Sequence, residues 1–416
     1  MLMTIGEANG HSEQFDVLIA GGGYVGLSLA LAIKQSESSL NVAVVDLRPR
    51  SAIENDPRAS AIAAAASRML DQLGIWYKIE GEAQPINEMI VTDSKLHDSV
   101  RPVYLTFAGE VEDGEPFAHM VPNNKMVGAL HDACVDEGVV MFAPESVKDF
   151  TVKQNGVSVK LGSGKTVEAK LLVAADGVKS RLRGLAGIPV NHWNYKQSGI
   201  VTTVAHERPH NGRAEEHFLP AGPFAILPLK GNRSSIVWTE RSIEADRLVN
   251  GDDFTFEIEL ERRFGHHLGK IEVEGPRKAF PLSLTLARSF VSNRFALAGD
   301  AAHGIHPIAG QGLNFGFKDA AALAEVIVNA HRLGLDIGAE HILEDYQRWR
   351  RFDTLQMGVT TDLLNRLFSN DLDPIRAVRD LGLGMVERMP FLKGHFIGEA
   401  AGMAGPTPKL LLGNPL

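Results

Sequence analysis

A chain of 416 residues exceeds what one small core needs and implies two or three domains. Its 44% hydrophobic and 22% charged residues exclude a disordered chain, and the formal net charge of -9 argues against general nucleic-acid binding, which depends on basic surface. The single cysteine, Cys134, excludes an internal disulfide or a cysteine-built metal site and fits a reducing compartment.

Met1 to Gln14 are polar and lack the apolar core of a signal peptide. No apolar stretch approaches the ~20 residues of a membrane-spanning helix. A soluble, cytoplasmic protein is expected. The first element is a buried strand, Phe15 to Ala20, after which Gly21, Gly23 and Gly26 open an apolar helix through Ile33. The pattern is G-x-G-x-x-G: one glycine for the turn, one for approach of a pyrophosphate and one for helix–strand packing. A second strand, Asn41 to Asp46, ends in a carboxylate about 20 residues later, the spacing of a ribose-binding acid. Arg48 invites a 2′-phosphate that Asp46 would repel. An adenine dinucleotide site is expected.

Further along, Ile86 to Phe107 reads as sheet, and Leu171 to Ala175 as a buried strand leading into Asp176-Gly177 and the cations Lys179, Arg181 and Arg183. That corner suits both a bound dinucleotide and an anionic one visiting from solvent. From Gly199 the pattern alternates: Ile200–Ala205, Glu215–Leu219, Phe224–Leu229 and Ser235–Glu240, broken by Pro220, Gly222, Pro223 and Gly231. An antiparallel meander is expected. Its Phe218, Phe224, Leu227, Pro228 and Trp238 suit either an apolar wall over a ligand or ordinary sheet core. Asp252 to Phe264 reads as an amphipathic helix, with His266 and His267 solvent-facing at its end.

A third strand-and-glycine corner follows. Phe295 to Ala298 is a buried run, then comes Gly299-Asp300, a glycine-rich stretch to Asp319, and a helix over Ala320 to Ala330. Gly310, Gly312 and Gly316 allow close backbone approach, and Asp300 can accept from ribityl hydroxyls. Three such corners, far apart in sequence, suit an extended FAD better than a nicotinamide cofactor, and no second G-x-G-x-x-G is present. Helical segments are expected at Gly338–Thr361, Leu363–Phe368 and Ile375–Val386. A mixed apolar and basic end carrying Arg376, Arg379, Arg388 and Lys393 then either rests on a membrane surface or packs on the protein.

Together these corners resemble those of the single-component flavoprotein aromatic hydroxylases, which have a para-hydroxybenzoate hydroxylase-like fold. The run His306-Pro307-Ile308-Ala309-Gly310-Gln311-Gly312-Leu313-Asn314-Phe315-Gly316-Phe317-Lys318-Asp319 resembles the signature of the ubiquinone-biosynthesis hydroxylases. The resemblance implies an α/β protein: a Rossmann-like FAD-binding domain (1–85, 108–190, 281–345), a mixed or antiparallel sheet substrate domain (86–107, 191–280) and a C-terminal helical region (346–416). It implies NAD(P)H and O₂ as co-substrates and a polyprenylated phenol as acceptor, hydroxylated through a flavin C4a-hydroperoxide. The partners it suggests are the surface of the inner membrane, a ubiquinone-biosynthesis complex or a second copy in a homodimer.

By the same resemblance, Gly21, Gly23 and Gly26 face the pyrophosphate and Asp46 the adenosine ribose. Arg58 and Asn123 reach the FAD, Asp176, Gly177, Gly299 and Asp300 complete its seat, and Pro307, Gly310, Gly312, Leu313 and Asn314 line the flavin ring. His306 and Gln311 are the candidate catalytic side chains. His303 and His306 are each either a proton relay or a structural cap of the loop, and no metal is required. Two other readings stay open: a flavin enzyme acting on a small soluble aromatic or an alkene, and a non-catalytic flavin-binding subunit.

Overall fold

Strand β1 (Gln14–Ala20), helix α1 (Tyr24–Ser36) and strand β2 (Val42–Val45) form the parallel unit expected at the start of the chain. In the computed structural model the described residues are 13–94, 96, 101–108, 110–112, 114–305, 311–368, 398, 401–403 and 405–416, without the side chains of 107, 108, 110, 112, 311 and 357–368. The segment expected as a helix at Ile375–Val386 lies outside them. Helix α1 is buried continuously from Val25 to Ile33, as a helix apolar on all sides must be.

The chain then adds β3 (Ala59–Ala63), β4 (Gln84–Ile86), β5 (Glu88–Asp93), β6 (Val103–Ala108) and β7 (Ala118–Pro122). Helix α2 (Asn123–Asp136) and strands β8 (Val140–Phe142), β9 (Val147–Val152), β10 (Val157–Leu161) and β11 (Thr166–Ala174) follow. After the short α3 (Arg181–Leu185) come β12 (Val190–His206), β13 (Arg213–Leu219), β14 (Gly222–Leu229) and β15 (Arg233–Arg241). Helices α4 (Ser242–Asn250) and α5 (Asp253–Phe264), and strands β16 (Lys278–Ala287), β17 (Phe295–Leu297) and β18 (His303–Gly304), lead to two long helices, α6 (Gln311–Arg332) and α7 (Glu340–Phe368).

Two large sheets result. In the first the order is β8-β2-β1-β11-β10-β9, with β17 added in parallel to the end of β11. In the second it is β18-β16-β12-β15-β14-β13-β5-β6. The meander expected after Gly199 is β12 to β15. The early stretch 86–107 joins it because β5 lies parallel to β13, Val91 opposite Glu216. A small sheet, β3-β7-β4, shares no ladder with either but packs through Ile86, Ala118 and Met120 on Ala214, Leu227 and Leu229 of the second. Phe224, Ile226, Ile236 and Trp238 on one face of the second sheet pack with Leu248, Phe256, Leu260 and Phe264 of α4 and α5. Asp252 caps α5, accepting from the Thr255 N–H at 2.8 Å.

Two expectations change. Helix α6 starts at Gln311 rather than at Ala320, so Gly312 and Gly316 are helical and Asp319 lies inside the helix. Gly316 is there for packing: a Cβ would lie 2.6 Å from Val25 Cγ2 on α1. The two segments expected at Gly338–Thr361 and Leu363–Phe368 are one helix, α7. Among the described residues, no helix is long and apolar enough to cross a membrane.

Candidate functional site

Ala20 of β1 pairs with Ala174 of β11, and Ala174 with Leu297 of β17. The three strands are parallel, so the turns that follow them lie side by side at the carboxyl edge, where open α/β sheets bind ligands.

At the first turn Gly21 has φ 120°, and a Cβ there would lie 2.2 Å from the Ala175 carbonyl oxygen. A Cβ at Gly26 would lie 2.0 Å from the Gly21 carbonyl oxygen. Packing therefore demands both glycines. Gly23 is different: among the described residues no atom beyond its chain neighbours lies within 4 Å of the place its Cβ would occupy, and as the N-cap of α1 it has no side chain to meet the first helix donors. Open space before unpaired helix donors is a seat for a pyrophosphate. Asp46, just past β2, accepts from the Gly22 N–H at 2.8 Å through Oδ2 and from the Arg48 N–H at 2.7 Å through Oδ1. Each oxygen keeps acceptor capacity for a sugar hydroxyl.

At the second turn Gly177 has φ 85°. Asp176 accepts from the Arg181 N–H at 3.1 Å and, with Ser180, caps α3. The cation cluster beside it does not face solvent as a unit. Arg183 is buried and donates to the carbonyl oxygens of Ala301 at 2.7 Å and Val178 at 3.1 Å, tying the second turn to the third.

The third turn is held from below. Gly299 has φ 62°, and its N–H donates to Asp319 Oδ2 at 2.8 Å. Asp319 also meets His303 Nε2 at 2.5 Å and accepts from Arg350 Nε at 2.8 Å; all three side chains are fully buried. Burial pushes the Asp319 carboxyl up, but His303 and Arg350 outweigh it and hold the group below the usual carboxylate range. Arg350 also donates to Asp353 at 2.9 Å. His303 is thus a structural member of this network, the second of its two expected roles. Nothing in the sequence pointed to Arg350; the acid at the end of the glycine-rich run was the one visible sign.

Asp300, next to Gly299, stands in the field of the same groups. Burial raises its carboxyl against the pull of His303 and Arg58, with Asp319 adding to the rise. Burial also drives the Tyr24 hydroxyl well above its ordinary range, with Asp300 adding and Arg58 opposing. Tyr24, Asp300 and Arg58 therefore share one electrostatic neighbourhood, which joins the first and third turns. Arg58 donates to Asp56 at 2.8 and 2.7 Å, and its guanidinium lies 5.9 Å from the Phe280 ring of β16. It stands between the turns and the second sheet, bordering a cleft with Pro57, Val201, Thr203, Ser235 and Lys278. Asn123, the buried first residue of α2, accepts from the Ser60 hydroxyl at 2.7 Å, and its N–H donates to the Arg58 carbonyl oxygen at 2.9 Å.

Of the glycine-rich run, His306, Pro307 and Gly310 lie outside the described residues, as does the Gln311 side chain. Leu313 and Asn314 are buried on α6. The Asn314 amide receives the Ala63 N–H at 2.9 Å and donates to the Ala61 carbonyl oxygen at 3.0 Å, so its side chain fastens α6 to β3. Among the described residues, and apart from its chain neighbours and the backbone of α6, nothing lies within 4 Å of the place a Gly312 Cβ would fill. His266 is exposed as expected, but His267 is not simply solvent-facing: its Nε2 lies 2.8 Å from the buried Glu215.

Three turns at the carboxyl edge of a parallel sheet, a second sheet across from them and an arginine between describe the FAD-dependent monooxygenase fold. A computed comparison of shape agrees. Over 94% of this chain and 99% of the other, it is similar to p-nitrophenol 4-monooxygenase PnpA from Pseudomonas putida, with a TM-score of 0.78 at 20% identity. PqsL of Pseudomonas aeruginosa, a probable FAD-dependent monooxygenase, is similar over 89% of this chain and 99% of its own, with a TM-score of 0.74 at 21% identity.

The chain belongs to the FAD-binding family whose model, FAD binding domain, matches residues 14–352. It is 46% identical to ubiquinone hydroxylase UbiL of Rhodospirillum rubrum over 96% of this chain and 93% of the relative. It is 32% identical to the 3-demethoxyubiquinol 3-hydroxylase of Escherichia coli, over 94% of this chain and all of the relative.

Proposed function

We propose that the protein is an NAD(P)H- and O₂-dependent FAD enzyme that hydroxylates the aromatic ring of a polyprenylated phenol in ubiquinone biosynthesis. The observation that carries this reading is the convergence of three parallel strand ends beneath a second sheet, in a chain 46% identical to a ubiquinone hydroxylase. Bound FAD supplies the reactive oxygen once it has been reduced and has met O₂.

The residues of this chain hold and orient. Gly23 and the N-terminus of α1 receive the pyrophosphate, with Gly21 and Gly26 shaping the turn; Asp46 receives the ribose. Asp176 and Gly177 form the second wall. Arg58, steadied by Asp56, and Asp300 address the phosphates and ribityl chain, and Asn123 positions Arg58. Gly299 and Gly312 bring backbone close to the flavin, flanked by Leu313 and Pro307. Asn314 contributes to that lining through backbone, because its amide is engaged with β3. His306, Gly310 and Gln311 belong to the same lining, and His306 and Gln311 remain the candidates for contact with the reacting groups. The two sheet orders support the division into FAD-binding and substrate-sheet segments.

The test is purification with bound FAD, followed by NAD(P)H oxidation and product analysis with a series of phenols. Hydroxylation of prenylated phenols in preference to their unprenylated parents supports the reading; preference for the small parents replaces it. A peripheral contact with the inner membrane is part of the proposal. Its support is the exposure of Phe352 and Leu355 on α7, which leads toward the apolar and basic end of the chain. Removing residues from Met389 onward should weaken liposome binding, and unchanged binding would exclude that contact.

A further inference from the structure

The second sheet buries acids on both faces and treats them differently. On the face toward α4 and α5, Glu215 meets His217 at 3.1 Å and His267 at 2.8 Å. Burial alone would raise it, yet these partners hold it at about 2. Glu240 lies 3.3 Å from Arg263. Glu216 points the opposite way from Glu215, as neighbours on a strand must. It is only 4% exposed and has no hydrogen-bond or ion-pair partner among the described residues.

Register fixes what that face looks at. Glu216 lies opposite Val91 on β5 and Ala225 on β14, Ala225 opposite Val237 on β15, and Val237 opposite Val201 on β12. Val201 borders the cleft with Arg58 and Phe280. Glu216 therefore shares the face that carries Val201 and the Arg58 cleft, three strand spacings or about 14 Å along the row from Val201, and next to Ala214 and Leu227, where the small sheet packs. The row is apolar from Val91 to Val201, and opposite Val201 it ends on β16 in Lys278, a cation that borders the same cleft. An isolated carboxyl in such a row is costly unless something else uses it.

We propose that Glu216 is the catalytic group that receives the phenolic proton of the substrate. The inference rests on the hydroxylase reading above and adds a residue to it. The step is a proton transfer without redox change. The substrate O–H bond breaks, a bond forms between that proton and a Glu216 carboxylate oxygen, and the electron pair stays on the phenolic oxygen. The ring is then more electron-rich at the positions ortho and para to that oxygen, where it must attack the oxygen that the cofactor supplies. Burial raises the carboxyl to about 7, which brings its basicity closer to that of a phenol than an ordinary glutamate's. Asp93, which lies opposite Phe218 on β5, is the other ionisable side chain of β5, β13 and β14 on this face.

The experiment compares wild-type holoenzyme with Glu216→Gln and Glu216→Asp on 2-prenylphenol and on a ring-fluorinated, more acidic 2-prenylphenol. Glu216→Gln should lower the rate of hydroxylated-product formation by roughly 10²-fold or more, with Glu216→Asp recovering part of it. FAD content and the dissociation constant for 2-prenylphenol, read by equilibrium dialysis, should stay near wild type. The ratio of wild-type to Glu216→Gln rates should shrink for the more acidic phenol. A wild-type rate in Glu216→Gln, a defect independent of phenol acidity, or a defect that follows lost FAD overturns the assignment. Wild-type holoenzyme that hydroxylates no prenylphenol overturns the hydroxylase reading itself, a separate result visible before any variant is made.

Discussion

Gly23 and Gly26 carry the same letter in one motif for opposite reasons. A methyl group at Gly26 meets backbone, the Gly21 carbonyl oxygen, whereas at Gly23 it meets no atom of the described residues beyond its chain neighbours. Gly26→Ala should therefore lower the melting temperature of the FAD-free protein. Gly23→Ala should leave that temperature unchanged while weakening FAD binding, measured by fluorescence titration. Equal effects of both variants on the FAD-free protein would contradict the assignment of the open space to the cofactor. Glu216 makes the same point for charge. Its carboxyl is raised from 4.5 to about 7, so the native state binds a proton that the unfolded chain has released between these values. Stability is unaffected below the lower value, falls as pH rises through the window, and is fully reduced above the upper one, by about 3 kcal/mol. Glu216→Gln should gain on wild type by about that amount in urea melts between pH 5 and pH 8. Parallel curves would mean the carboxyl is not held neutral. Neither Glu216 nor the pairing of Glu215 with His267 was legible in the sequence. Two adjacent acids in an alternating run do not say which one faces a ligand, and a histidine fifty residues away does not announce its partner.

Among elements, α6 departs furthest from expectation and explains the most. Its glycines read as loop because glycine disfavours helices, yet Gly316 is the residue that lets α6 lie against Val25 of α1. The buried strands, by contrast, were plain as unbroken apolar runs, and the meander as alternation. Helix α6 also carries Asp319, the acid on which Gly299, His303 and Arg350 converge. Asp319→Asn keeps the shape but takes from the buried Arg350 guanidinium its fully buried carboxylate while Asp353 remains, which should cost about 3 kcal/mol, the low end for a broken buried pair. Because the native carboxyl is depressed, its contribution is present at neutral pH and is lost only as pH falls through that lowered value. Thermal melts of the FAD-free protein at neutral pH should show the loss. A variant as stable as wild type would reduce the network to incidental contacts.

For the whole molecule, the two sheets interlock in sequence. The second sheet needs β5 and β6 from the early chain, and the first needs β17 from beyond the second. A fragment of residues 1–190 should hold no FAD by itself, and co-expression with 191–416 should restore FAD to the co-purified pair. FAD retained by the first fragment alone would show that the third turn is dispensable. The sequence placed all three glycine turns correctly along the chain; their meeting depends on pairings of β11 with β1 and β17, which no local pattern encodes.

Strand β17 has a consequence for how the protein is made. Ala174 leaves the ribosome long before Leu297, its neighbour in the finished sheet, with roughly ten seconds of synthesis between them. During that interval the nascent chain has two walls of a seat and lacks the third. Loading of the vitamin-derived prosthetic group must therefore wait until β17 has been made, so the yellow colour of a preparation reports on chains that extend past Leu297 and not on shorter ones.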